Sequence, residues 1–83
     1  MASAGRKSAL KTLRVQPGAL GRYEVRDGQR LLGTSQNELM AIWSAVSAAE
    51  EMTRSGRTVR VVAVHDGNEV EEFVARPFEP FLF

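Results

Sequence analysis

Apolar and polar positions alternate along most of this chain, and a helical stretch interrupts the alternation in the middle. "LKTLRVQ" sets Leu13 and Val15 between charged or polar neighbours, a strand-like period. "RYEVRDGQRLLG" repeats the pattern with Tyr23 and Val25 and reads as a hairpin. Asp27-Gly28 is its predicted two-residue turn, since both positions need a positive φ that glycine adopts freely. On that register Tyr23 faces Leu32 and Val25 faces Arg30. "PGALG" supplies turn residues between the two segments, and Pro17, with no N–H for a ladder, ends the first strand or sits on an edge.

The period then changes. "SQNE" places Ser35 at a helix N-cap with Glu38 three residues on, a capping box in which each side chain satisfies the other's backbone N–H. Leu39, Ile42, Trp43, Val46 and Ala49 follow at helical spacing, with Asn37, Ser44, Ser47, Glu51 and Arg54 on the opposite side. Met40 and Met52 flank the apolar stripe. Gly56 suits the left-handed residue that closes a helix. The spacing predicts a helix over about residues 36–54.

Strands return in "RTVRVVAVH" and "EVEEFVA", joined by a second tight turn at Asp66-Gly67. Simple alternation puts Val59, Val61, Ala63, Val70, Glu72 and Val74 on one face. Arg60, Val62, Val64, Glu71 and Phe73 take the other, with Arg60 and Glu71 placed for a diagonal ion pair. The order is ββ(β)αββ. It predicts an α+β two-layer sandwich, an antiparallel sheet of four or five strands packed on one long helix. Tyr23, Val25, Leu39, Ile42, Trp43, Val46, Val59, Val61 and Val74 are the expected core. One helix covers one face, so Val62, Val64 and Phe73 would need another cover: the C-terminal tail, a second copy, or a ligand.

Composition adds bounds. With 83 residues, 43% apolar and 25% charged, the chain reads as one globular domain with thin stability. Residues 1–9 read as a mobile basic arm, 10–76 as the domain, and 77–83, "PFEPFLF", as an aromatic tail. The absence of cysteine removes disulfides, thiol catalysis and cysteine-based metal sites. No apolar run follows Arg6, Lys7 and Lys11, which argues against a secretory signal and makes the cytoplasm the expected location. Charge is uneven: residues 1–30 hold seven basic side chains against two carboxylates, and the remainder four against eight.

Chemical signatures are sparse. His65 is the only histidine and reads as an exposed turn residue. Glu50-Glu51 and Glu71-Glu72 are adjacent pairs, which do not face one another on a helix or a strand. "HDGNE" lacks the spacing of a calcium loop, and "GRKS" lacks the upstream half of a phosphate loop. No catalytic, cofactor or metal site is expected.

Residues 22–75, from "YEVRDGQRLLG" through the alanine-rich helix to "AVHDGNEVEEF", resemble small bacterial strand-strand-helix-strand-strand domains of unknown function. The resemblance implies a two-layer sandwich and carries over no catalytic residue. The first strand and the aromatic tail depart from it. The expected function is therefore a non-enzymatic interaction module. It self-associates or binds a protein partner through the second sheet face and the tail, with Phe73, Phe78, Phe81, Leu82 and Phe83 as contacts. The alternative is a nucleic-acid binder using Arg6, Lys7, Lys11, Arg14, Arg22, Arg26 and Arg30, with Tyr23 as a stacking platform if exposed.

Overall fold

The computed structural model describes residues 10–77. Five strands form one sheet: β1 (Leu10–Pro17), β2 (Tyr23–Asp27), β3 (Arg30–Ser35), β4 (Thr58–His65) and β5 (Asn68–Ala75). Helix α1 (Glu38–Met52) packs across one face, completing the predicted α+β sandwich and element order. The strand order is β3-β2-β1-β4-β5. Three pairings are antiparallel, but β1 and β4 run parallel at the centre, with Leu13 level with Val61. The sheet is therefore mixed. The chain leaves the β3 edge, crosses the sheet through α1 and enters beside β1, the kind of connection that sets strands parallel.

Between sheet and helix lie Leu13, Val15, Val25, Val59, Val61 and Ala75, packed on Ala41, Ala45 and Ala49. Each buried Val or Leu contributes about 1.5–3 kcal/mol. The alanines recur every four residues and let the helix backbone approach the strands closely. Tyr23, Ile42 and Val46 pack partly against this core, but Leu39 and Trp43, both expected inside, are each 65% exposed. The helix is rotated so that its small residues face the sheet.

Two bulges correct the expected registers. In the first hairpin Asp27 pairs with Arg30, so the turn is Gly28-Gln29, with a positive φ (62°) at its first central residue as in a II′ turn. Tyr23 then meets Ser35 and Val25 meets Gly33, with Leu32 inserted as an extra residue. The second hairpin has the predicted turn, with Asp66 at φ 52° and Gly67 at φ 81°. Farther along, Val62 opposes Glu71 while Val61 opposes Phe73, leaving Glu72 as the extra residue. Beyond it the alternation inverts. Phe73 and Ala75 join the helix side, and Val74, expected in the core, pairs with Arg60 on the other.

The helix starts two residues later than the capping box implies. Asn37, not Ser35, is the N-cap, and its side-chain oxygen accepts from the Met40 N–H at 2.9 Å. A short 3-10 turn, Thr53–Ser55, extends the C-terminus, and Gly56 closes it at φ 91° as expected.

Candidate interaction surface

The helix rotation and the β5 bulge together build a groove. Rotation turns Leu39 and Trp43 outward, and the bulge turns Phe73 toward α1. The result is a groove of about 270 Å³ lined by Leu39, Ile42, Trp43, Val46, Glu72 and Phe73. Val70 stands level with Ala63 on the same side of the sheet and is 46% exposed, which lengthens the apolar surface along β5. The Nε2 of His65 lies 3.1 Å from a Glu38 carboxylate oxygen, tying the start of α1 to the end of β4. Both side chains are partly exposed, so water screens this contact. Phe73, expected on the open face, is thus a groove residue on the helix side.

The far face of the sheet is closed by charge, not left bare as the sequence suggests. Arg14 is level with Val62 and Glu69 with Val64. The Arg14 Nε donates to Glu69 at 2.9 Å, so this pair crosses β4 above both valines. Long arginine stems cover apolar surface in this way, and Val62 is only 1% exposed. On β2 the Arg26 Nε donates to Glu24 at 2.9 Å and holds that carboxyl below its ordinary value. A weaker bond from Gln16 acts in the same direction. Glu71 stands opposite Val62, and Arg60 Nε is buried without a hydrogen-bond partner among the described residues, in place of the expected Arg60–Glu71 pair.

Three of the seven basic residues proposed for nucleic acid are engaged within the fold. Lys11 donates to Asp27 at 2.9 Å, Arg14 holds Glu69, and Arg26 reaches both Glu24 and the Gln29 carbonyl. Arg22, just before β2, and Arg30, at the start of β3, are exposed, and Tyr23 is partly buried against the core. Arg6, Lys7, Phe78, Phe81, Leu82 and Phe83 lie outside the described residues. Among the described residues there is no cluster of three His, Cys, Asp or Glu able to hold a metal ion. No helix among them is long and apolar enough to cross a membrane.

Helical spacing alone assigns Leu39, Ile42, Trp43 and Val46 to the core. The signal that could have found the groove is the alanine row at residues 41, 45 and 49, a second stripe able to face the sheet. In comparisons with known proteins, no family model, no curated protein and no solved structure matches the chain.

Proposed function

We propose that the protein is a non-enzymatic interaction module that binds a protein partner through the groove between α1 and β5. The observation that carries this reading is the exposure of Trp43 and Leu39, 65% each, on a well-formed helix beside an edge strand. Solvent-exposed Trp is costly, and a contiguous apolar patch with a polar rim is the usual form of a contact site. The groove displaces the far sheet face from this role, because ion pairs close that face. A cytoplasmic location is part of the same proposal.

A photo-crosslinking residue placed at Trp43, with Ser47 on the polar side of α1 as control, tests it in cells. The expected result is a discrete adduct from position 43 and none from 47. Its partner, once purified, should bind the native chain and lose at least about tenfold in affinity against Trp43→Ser. Equal labelling at both positions, or none at either, would remove the reading.

A further inference from the structure

The two elements that form the groove carry charge of one sign. Helix α1 holds Glu38, Glu50 and Glu51 and strand β5 holds Glu69, Glu71 and Glu72; His65, Arg54 and Arg14 engage Glu38, Glu51 and Glu69, which leaves Glu50, Glu71 and Glu72 without a basic partner among the described residues. Glu72 lines the groove itself, and Glu50 follows Val46 one turn along the same helix stripe. The β5 strand is the last in the sheet, so its outer edge has no strand partner among the described residues. An apolar channel, an open strand edge and an acidic border therefore lie side by side.

Resting on the interaction-module reading, we infer that the groove takes an extended protein segment with apolar residues at alternate positions and Lys or Arg between them. It adds to β5 as a sixth strand. Backbone hydrogen bonds to the edge supply affinity, and alternate side chains supply choice. Apolar side chains on the helix side enter the channel between Trp43 and Phe73. Basic side chains on the other side meet Glu71, which is exposed on β5. A segment of about six to eight residues matches the length of the strand.

Charge separates this occupant from its rivals. A second copy docking the same groove would set Glu50 and Glu72 against their own copies, and like charges facing one another across an interface are unfavourable. The chain's own C-terminal segment brings Glu79 and no basic residue after Arg76. Nucleic acid is repelled by the same border. The glutamates and the bulge at Glu72 also keep unlike-charged pairing selective, since charged, irregular edges resist indiscriminate strand addition.

The test titrates the full chain with three synthetic peptides. One is an octapeptide alternating Lys with Val and Phe, the second has Glu in place of every Lys, and the third is "PFEPFLF". Backbone amide shifts along β5 and Trp43 emission report binding, and light scattering reports mass. The expected result is binding of the Lys peptide alone, weakening with salt, with shifts on β5. The variant Glu71→Lys/Glu72→Lys should weaken it at least about tenfold, and Trp43→Ser should do so without changing the salt dependence. Equal binding of the Glu peptide would overturn the inference and leave the module reading standing. Preferential binding of "PFEPFLF", or a concentration-dependent dimer with the same shifts, would do likewise and name the occupant. No change at Trp43 or β5 with any peptide, in a chain that stays monomeric, would remove both.

Discussion

Along one side of α1, Ala41, Ala45 and Ala49 are fully buried, while on the neighbouring arc Leu39 and Trp43 are each 65% exposed. Hydrophobicity alone would reverse this, because a Trp or Leu gains more from burial than an Ala does. What decides it is distance. Alanine lets the helix sit close to Leu13, Val15 and Val61, so the strands' own large side chains fill the layer. Turning Trp43 inward would lift the helix and open voids around those residues. The large residues then remain on the surface, where Phe73 and Glu72 complete a groove with them.

Enlarging the buried stripe should break this arrangement with the largest effect. Ala45→Leu adds volume where there is no space and should cost about 1–3 kcal/mol, read from chemical denaturation. A neutral result would mean that the helix can ride up on the sheet, and that close packing does not select the alanine row. Removing the cap acts on the other stripe. Asn37→Ala should cost about 1 kcal/mol and speed amide exchange in the first turn, around Leu39 and Met40, more than around Ala49. Uniform acceleration along α1 would show that the two stripes are not separable.

These comparisons also explain what the sequence could and could not reveal. The helix, Gly56 and the Asp66-Gly67 turn follow from local chemistry: periodicity, a left-handed closing residue, and paired positive φ values. The choice of stripe does not, since an apolar arc wider than the contact leaves open which part faces inward. The bulges at Leu32 and Glu72 are similarly hidden. Each depends on cross-strand fit, and one extra residue sends Phe73 to the helix side and Val74 away from it. The parallel β1–β4 pairing rests on which edges the crossover joins, a global property. Of the candidate surface, the sequence singles out Phe73 but places it on the other face of the sheet, and the helix residues that line the groove with it read as core.

Trimming the exposed stripe should have less effect than either change above. Trp43→Ser removes a side chain that is mostly in water already, and should cost under about 1 kcal/mol in denaturant while weakening the proposed partner binding at least about tenfold. A loss as large as that of Ala45→Leu would mean that Trp43 supports the fold, and the groove would become a packing irregularity.

The smallest effect belongs to the far sheet face, which is closed by ion pairs where the groove is left open. Arg26 lowers the Glu24 carboxyl below its ordinary value of 4.5. A carboxyl depressed in the folded state adds stability above its unfolded value, and that stability is lost as pH falls through the folded one. Glu24→Gln should therefore be slightly less stable than the parent near neutral pH, with the difference fading below about pH 4.5 as Glu24 takes up a proton. Trp43 emission should not respond to this titration, since Glu24 sits on the opposite face of the sheet. A fluorescence change present in the parent and lost in Glu24→Gln would show the two faces to be coupled, since Glu72, which lines the groove beside Trp43, is common to both.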